Sequence, residues 1–427
     1  MEKDNNKDRI STSYIDVLDG VRAFSVFIVA FFHFWQQSWY NKVIYYSWFE
    51  KIGMKEINLE WLWRTGYVFV DMLILLSGFL LFLPHARHMV EGKKLDSTAT
   101  FYRKRVARIV PSYYLSVLFL LFFSVIPKQQ FSSIDHLKKD LFAQLTFTQM
   151  FDPMTKNTMF NGVLWTVAVE VSFYLIFPLV AYFFKKKPVI TYICMTLASF
   201  VYIQQRVLKA KDLGFMINQM PTFLGVFANG MMGALIFLHI ANMYKREKYL
   251  SAVFTLVAVL SLYMIRLMLK ESLLRSPNTQ VWQVEYRYLL SLVFLMFIIS
   301  LSLSDKWLRF IFSNRFVRYL ATISYNFYIW HQVIAVKFKY GMGKNNQIRI
   351  PNWEGDRPPN FSGDTAWQIK YTLIILLASL IVATLLTYFF EKPMANLIMG
   401  KRKPKREKEQ MIEEYDVEKE NLTDNAI

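Results

Sequence analysis

Runs of apolar residues, each about 20 residues long, recur along the whole chain and constrain its fold more than any other feature. A helix of about 20 apolar residues crosses the ~30 Å hydrocarbon core of a bilayer, whereas a soluble domain hides its apolar residues behind a polar shell. In agreement, 54% of the 427 residues are hydrophobic. We therefore predict an all-α polytopic membrane protein, with the lipid bilayer as its first partner.

About ten segments of the chain are predicted to be transmembrane helices. They are Val17–Gln36, Gly66–Leu83, Ile109–Ile126, Val163–Tyr182, Val189–Gln205, Pro221–Ile240, Leu250–Ile265, Tyr288–Leu303, Leu320–Lys337 and Thr372–Phe390. Lys and Arg concentrate in the short loops of one side, and such loops stay in the cytoplasm. Both termini are therefore predicted to be cytoplasmic, with residues 1–16 as an N-terminal segment, 17–393 as the membrane domain and 394–427 as a charged tail.

The positive charge and the single cysteine exclude several other classes of protein. The net charge of +18 lies in the gaps between apolar runs, so nucleic acid is not predicted as a partner. Cys194 is the single cysteine, which excludes an intrachain disulfide and argues against a cysteine-based metal site. No metal is predicted, no cleavable signal peptide is expected, and the oligomeric state stays open.

Two of the predicted outer loops carry features of their own. Leu141–Met150 is moderately apolar but too short to span, which favours an interfacial or re-entrant segment. Phe338–Tyr371 is polar and rich in turn residues, as expected of a segment that covers a site.

Ionisable side chains inside the apolar runs are costly, so each of them needs a partner or a function. Arg22 and His33 are 11 residues apart on the first span, so they project from one helix face about 16 Å apart. Asp71, Glu170 and His331 are predicted to lie at a depth similar to that of His33, around a solvated polar chamber. His331, beside an interfacial tryptophan, is the weakest candidate, and we favour a structural role for it.

Structural interpretations of these residues stay open. Arg22 is also explained by snorkelling to cytoplasmic headgroups. His33, Asp71 and Glu170 are each also explained as hydrogen-bonding groups that pair helices without any chemistry.

A basic run that includes Arg103, Arg105 and Arg108 enters the third span from the cytoplasm. Arg105 and Arg108 share a helix face, and their guanidiniums suit phosphate groups, supported by the positive end of the helix. The same run is also explained by the ordinary excess of positive charge in cytoplasmic loops.

Several ordered motifs together carry a resemblance to a known family. They are Leu18-Asp19-Gly20-Val21-Arg22-Ala23 with its Arg-x10-His spacing to His33, the block Val70-Asp71 to Ser77-Gly78-Phe79, Arg105-x-x-Arg108, the block Leu164-Trp165 to Glu170 and Phe173-Tyr174, Ser324-Tyr325 to Trp330-His331, and Glu391-Lys392-Pro393. In this set the chain resembles the acyltransferase family 3 membrane proteins, which acylate sugars, glycopolymers and small hydroxylated molecules.

The resemblance implies an O-acyltransferase of the bacterial plasma membrane. It would move an acyl group, most simply acetyl, from cytoplasmic acyl-CoA to a hydroxyl of a carbohydrate-type acceptor such as a cell-surface polysaccharide, a glycolipid or a lipid-linked sugar. The resemblance places the cofactor-binding role on Arg22, Arg103, Arg105 and Arg108, and the catalytic role on His33, Glu170 and Asp71.

Two chemical routes are compatible with a histidine in that position. In the first, His33 deprotonates the acceptor hydroxyl, and Glu170 or Asp71 orients the imidazole. In the second, His33 carries the acyl group transiently across the membrane.

Two other classes of function remain as alternatives. A proton-coupled secondary transporter or glycan flippase would use His33, Asp71 and Glu170 as a proton relay. Inverted repeats with broken helices would then be expected, and none is visible in the sequence. A membrane sensor or scaffold that keeps the fold without chemistry is the third interpretation.

Overall fold

The structure is a computed structural model, which describes residues 15–39, 43–44, 51, 53, 56–156, 158–243, 248–339 and 365–400. Residues 401–427 of the predicted charged tail and most of the loop Phe338–Tyr371 lie outside the described residues, so their roles stay predictions. Within those ranges the strands β1 (Val43–Ile44) and β2 (Ile57–Asn58) form a two-residue antiparallel ladder. The remaining regular structure is helical.

The α-helices are numbered in chain order. They are α1 Asp16–Ser38, α2 Glu60–Trp63, α3 Phe69–Glu91, α4 Thr98–Leu120, α5 Ile134–Leu145, α6 Pro153–Lys156, α7 Trp165–Lys186, α8 Pro188–Tyr202, α9 Leu213–Met216, α10 Leu224–Met243, α11 Lys248–Leu274, α12 Thr279–Leu303, α13 Lys306–Ser313, α14 Arg315–Lys339, α15 Thr365–Leu386 and α16 Lys392–Ile398. Short 3-10 segments at Gly66–Val68, Gly162–Leu164 and Met220–Phe223 lead into α3, α7 and α10. Turns of π-helix at Leu121–Val125, Ile203–Val207 and Thr387–Glu391 extend α4, α8 and α15.

Eight helical segments in the described part of the chain are long and apolar enough to cross a membrane. They are Asp16–Ser38, Gly66–Glu91, Thr98–Val125, Gly162–Lys186, Met220–Met243, Tyr249–Leu274, Thr279–Leu303 and Ala366–Ile398. The chain is therefore an all-α integral membrane protein. These segments coincide with eight of the predicted spans.

The other two predicted spans, Val189–Gln205 and Leu320–Lys337, are helical as well, but they are not among those eight. Helix α14 contains the polar residues Ser324, Asn326 and His331, all of them buried. Their polarity lowers the mean hydropathy of the helix. The count of about ten spans and the cytoplasmic position of both termini stay predictions.

Glycine allows α3 and α10 to pack in unusually close contact. A Cβ on Gly78 of α3 would lie 2.6 Å from the carbonyl oxygen of Phe227 on α10. A Cβ on Gly230 of α10 would overlap the carbonyl oxygen of Leu75 on α3. Small residues at such a crossing let two backbones touch, as is common between helices in membranes. This packing fixes the position of α3 relative to α10.

The predicted interfacial segment Leu141–Met150 belongs to a loop that is tied to α4 by hydrogen bonds. Its first half is the end of α5, and the hydroxyl of Tyr113 on α4 donates to the carbonyl oxygen of Gln144 at 2.9 Å. Asp140 accepts hydrogen bonds from the Thr158 hydroxyl and the Met159 amide, while burial raises the pKa of its carboxyl. The opposite face of α5 exposes Phe142, as an interfacial helix would.

Candidate functional site

Two cavities follow one another between the helices around α1. The arginine cavity has a volume of about 100 Å³, and its polar lining consists of Arg22, Ser77, Arg105, Arg108, Thr166, Glu170, Tyr174, Ser324, Tyr325 and Tyr328. The histidine cavity has a volume of about 420 Å³, and its polar or aromatic lining consists of Phe32, His33, Trp35, Gln36, Arg64, Tyr67, Trp165, Asn218, Ser276, Thr279, Gln280, Gln283 and Tyr328. Helix α1 runs past both cavities, with Arg22 in the first and His33 in the second.

His33 is hydrogen-bonded to a second histidine, His331 of α14. The two atoms of the bond, Nδ1 of His33 and Nε2 of His331, are 2.8 Å apart, and the rings stack with centroids 5.1 Å apart. Nδ1 of His331 lies 2.7 Å from the carbonyl oxygen of Tyr328. From the sequence, His331 is the weakest of the ionisable candidates, and a structural role is favoured for it. The structure places it in direct contact with the strongest candidate.

The partners of the histidine pair fix which nitrogens carry hydrogen. A carbonyl oxygen only accepts, so Nδ1 of His331 is the donor in its bond to Tyr328. In a neutral imidazole the other nitrogen then accepts, so Nδ1 of His33 donates to Nε2 of His331. The lone pair of His33 is therefore on Nε2. This is the arrangement of a histidine base that a neighbouring group holds in one tautomer.

Glu170 lies in the arginine cavity and is held by two hydroxyl groups. The Ser77 hydroxyl donates to Oε1 at 2.6 Å, and the Tyr174 hydroxyl donates to Oε2 at 3.0 Å. The carboxylate therefore shares the cavity with Arg105 and Arg108, and it makes no hydrogen bond to His33 among the described contacts. The predicted role of Glu170 in orienting His33 has no support in this geometry.

Asp71 is paired with a buried arginine that the sequence analysis did not single out. Nε of Arg287 lies 3.2 Å from Oδ2 of Asp71, and both side chains are 1% exposed. Arg287 also donates to the Ile217 carbonyl oxygen at 2.9 Å and to the Thr222 hydroxyl at 2.8 Å. Asp71 lines neither cavity. Its position is that of a group that joins α3 to α12.

Three of the four predicted arginines line the arginine cavity. Arg22 bonds to Asp19 at 2.7 Å, within its own helix. The Arg105 guanidinium lies over the rings of Phe101, at 5.8 Å, and Tyr174, at 5.9 Å. Arg108 also lines the cavity. Arg103 is exposed and does not, because it lies two residues before Arg105 and so faces another side of α4.

The two motifs nearest the C-terminus, Ser324-Tyr325 to Trp330-His331 and Glu391-Lys392-Pro393, connect α14 to neighbouring helices by hydrogen bonds. The Asn326 amide donates to Oε2 of Glu391 at 2.6 Å and to the Thr387 hydroxyl at 2.9 Å, across the π-turn that ends α15. The Tyr325 hydroxyl donates to the Ile109 carbonyl oxygen of α4 at 3.0 Å. These bonds hold α14 in position, and with it the ring of His331.

The histidine cavity combines amides with aromatic rings. Gln36, Asn218, Gln280 and Gln283 supply neutral donors and acceptors, and Trp165 supplies an aromatic ring. Such a lining suits a ligand with many hydroxyl groups and apolar ring faces. Within the described ranges, no three His, Cys, Asp or Glu residues cluster as a metal site would require.

Fold and site together define a polytopic helical membrane protein with a histidine pair in one cavity and a cluster of arginines in the next. The acyltransferase family 3 profile, described as an acyltransferase domain, matches residues 15–390. The chain therefore belongs to this family, as its motifs predicted.

The relatives of the chain include O-acetyltransferases of Staphylococcus aureus. The chain is 26% identical over 181 residues to the O-acetyltransferase OatA of strain NCTC 8325 / PS 47, covering 40% of this chain and 26% of OatA. It is 22% identical over 361 residues to a putative O-acetyltransferase of strain COL, covering 79% of this chain and 53% of that relative. The chain thus spans about a quarter to a half of the length of these relatives. No solved structure matches it significantly.

Proposed function

We propose that this protein is an O-acyltransferase of the bacterial plasma membrane, with both termini in the cytoplasm. It moves an acyl group, acetyl first of all, from cytoplasmic acyl-CoA to a hydroxyl of a carbohydrate-type acceptor. The observation that carries the proposal is the His33–His331 pair, which leaves a base at Nε2 of His33. Family membership and the names of the relatives support the reaction class.

The donor side of the proposal rests on the arginine cavity. Arg105 and Arg108 supply guanidiniums that match the phosphates of CoA, and Arg22 supplies a third positive charge in the same cavity. From Arg22 to His33 the helix rises about 16 Å, a distance that an extended pantetheine arm has to cover. The phosphates are thereby bound at one end while the thioester reaches the other.

The acceptor side of the proposal rests on the histidine cavity. Its glutamines and asparagine match the hydroxyl groups of a sugar, and the face of Trp165 matches the C–H surface of a pyranose ring. This lining favours a carbohydrate over an apolar acceptor. His33 lies in the same cavity, so a bound hydroxyl would meet the base directly.

The direct reaction balances with His33 as base and then as acid. Nε2 of His33 takes the proton of the acceptor hydroxyl, and the oxygen forms a bond to the thioester carbonyl carbon. The tetrahedral intermediate collapses as the C–S bond breaks, and the leaving CoA thiolate takes the proton back from Nε2. The hydrogen bond to His331 holds the ring in place and spreads the positive charge of the imidazolium.

The alternative route uses the same lone pair as a nucleophile. Nε2 then attacks the thioester and CoA leaves as the thiolate. The acyl-imidazolium transfers its acyl group to the acceptor oxygen, the bond to Nε2 breaks, and the hydroxyl proton goes to water. Incubation with radiolabelled acetyl-CoA without acceptor separates the routes. A labelled adduct on His33, identified by rapid quench and mass spectrometry, supports the two-step route, and its absence on the timescale of turnover supports direct transfer.

The test of the proposed function is acetyl transfer by purified protein and by cells. We expect His33→Ala to lower transfer from acetyl-CoA by at least about 100-fold, the usual contribution of a general base or more. His136→Ala is the matched control, because His136 lies on α5 and lines neither cavity. Surface glycans that remain fully acetylated in His33→Ala cells would overturn the proposal. Proton-coupled uptake by proteoliposomes without CoA would favour a transporter.

The arginines provide a second test, specific to the donor. Arg105→Ala and Arg108→Ala are expected to weaken acetyl-CoA binding about 10-fold each, since a charge-assisted bond contributes about 1.5–3 kcal/mol. Arg103→Ala, outside the cavity, is expected to change the dissociation constant much less. Isothermal titration calorimetry with CoA measures all three variants. Equal losses in the three would contradict the assignment of the cavity to the donor.

A further inference from the structure

Two residues, Val70 and Tyr328, line both cavities at once. Val70 is the second residue of α3, and its side chain is 5% exposed. Tyr328 belongs to α14, three residues before His331. They therefore form the wall between the cavities, and an acyl group that passes from the arginine side to His33 has to pass this wall.

Contacts with several helices fix the positions of Tyr328 and Val70, the two residues of the wall. The Tyr328 hydroxyl accepts a hydrogen bond from Thr166 of α7 at 3.0 Å. The Tyr328 carbonyl oxygen accepts the bond from His331, and the two rings lie 5.7 Å apart. Opposite, the branched side chain of Val70 has few rotamers, and α3 is fixed by its close packing against α10. Because both side chains are packed tightly, moving them aside for a larger ligand costs free energy.

We propose that Val70 and Tyr328 select the length of the transferred acyl group. This inference rests on the proposed function, since it concerns the donor of the same reaction. The pantetheine arm passes between Val70 and Tyr328 to bring the thioester carbonyl within reach of His33, and the alkyl part of the acyl group then lies against the histidine side of the wall. A methyl group fits there, whereas each further methylene has to displace the valine methyls or the tyrosine ring. One methylene too many in a fixed pocket lowers the rate about 10-fold or more.

The experiment compares acetyl-CoA with butyryl-CoA in direct competition, using purified full-length protein and mass spectrometry of the acylated acceptor. We expect the wild type to favour acetyl. Val70→Ala removes two methyl groups from the wall and is expected to lower the acetyl-to-butyryl ratio at least about 10-fold. Val70→Ile adds a methylene and is expected to raise the ratio. Tyr328→Leu provides a second, independent way to widen the passage.

Two controls separate size from other effects. Tyr328→Phe keeps the ring and loses only the hydroxyl, so the ratio is expected to stay within about 2-fold of the wild type. Val293→Ala tests a general loss of packing, because Val293 is also 5% exposed and lines neither cavity. Its ratio and its acetyl transfer are expected to match the wild type.

The outcomes distinguish this inference from the function on which it rests. Acetyl transfer with a ratio that follows wall size in the Val70 and Tyr328 variants supports the inference. Acetyl transfer with the same ratio in Val70→Ala, Val70→Ile and Tyr328→Leu overturns the inference alone. A wild type that transfers no acyl group from any acyl-CoA overturns the proposed function, and the inference with it.

Discussion

At the scale of single residues, the imidazoles of His33 and His331 play unequal parts although they stack side by side. His331 is fully buried, and its Nδ1 is bonded to the backbone carbonyl of Tyr328, within the same helix. His33 lines a cavity and has one nitrogen left for a ligand. The buried ring therefore acts as a positioning residue, and the cavity-lining ring meets the substrate.

This division predicts different effects of replacing His331. His331→Leu removes the acceptor for His33 and is expected to lower kcat about 100-fold, with KM for acetyl-CoA within a few-fold of wild type. His331→Gln offers an amide oxygen near the position of Nε2 and is expected to recover part of the loss. Steady-state kinetics of both variants provide the measurement. A rise in KM with unchanged kcat would show instead that His331 serves donor binding.

The pair Asp71–Arg287 represents the opposite case, two charges with a structural task. Both side chains are buried and each charge compensates the other, so loss of one partner leaves an uncompensated buried charge at a cost of about 3–5 kcal/mol. We expect Asp71→Asn and Arg287→Gln each to lower Tm in detergent, measured by tryptophan fluorescence. The double variant is expected to lower Tm by much less than the sum of the two single decreases. Additive losses would argue against a coupled pair.

At the scale of helices, the crossing of α3 and α10 determines where the wall and Asp71 are placed. Both glycines of the crossing meet backbone oxygens, which cannot move aside as a flexible side chain can. The crossing thus tolerates no side chain at Gly78 or Gly230. From the sequence, Gly78 is recognisable only as part of a motif, because its packing partner lies about 150 residues away along the chain.

Gly230→Ala is expected to abolish folded protein or to lower Tm by several degrees, because the new methyl group overlaps the Leu75 carbonyl oxygen. Gly214→Ala is the control. A Cβ at Gly214 meets its nearest atom at 3.6 Å, an ordinary contact, so the folded yield is expected to match the wild type. Size-exclusion profiles of detergent extracts measure both. Equal yields from the two variants would contradict the described crossing.

At the scale of the whole molecule, apolar runs and motifs were sufficient for the helical membrane architecture, for eight of the predicted spans and for the family. They also indicated three of the four predicted arginines that line the arginine cavity, but not the exclusion of Arg103. The pairing of polar residues did not follow, because span boundaries give depth in the membrane but not which helices are neighbours. Asp71 and Glu170 lie on the expected helices, yet one contacts Arg287 and the other contacts Ser77. Arg287 itself lies one residue outside the predicted span Tyr288–Leu303.

The predicted orientation is open to a labelling experiment, since the chain has a single cysteine, Cys194. In a Cys194→Ser background, Ser132→Cys in the predicted outer loop is expected to react with a membrane-impermeant maleimide on intact cells. Asn425→Cys in the predicted cytoplasmic tail is expected to react only after permeabilisation. Labelling of Asn425→Cys on intact cells would reverse the predicted topology or make the number of spans odd.

The wall formed by Val70 and Tyr328 also matters to the cell in which the protein resides. If the two cavities open to opposite faces of the membrane, a continuous hydrated path between them would let protons run down the electrochemical gradient. Val70 and the ring of Tyr328, which is hydrogen-bonded to Thr166, narrow that path to the width that the pantetheine arm requires. The size of the acyl group and the seal against ion leakage are then governed by the same two side chains. An enzyme of this design that evolves toward longer acyl groups has to widen its wall without depolarising the membrane.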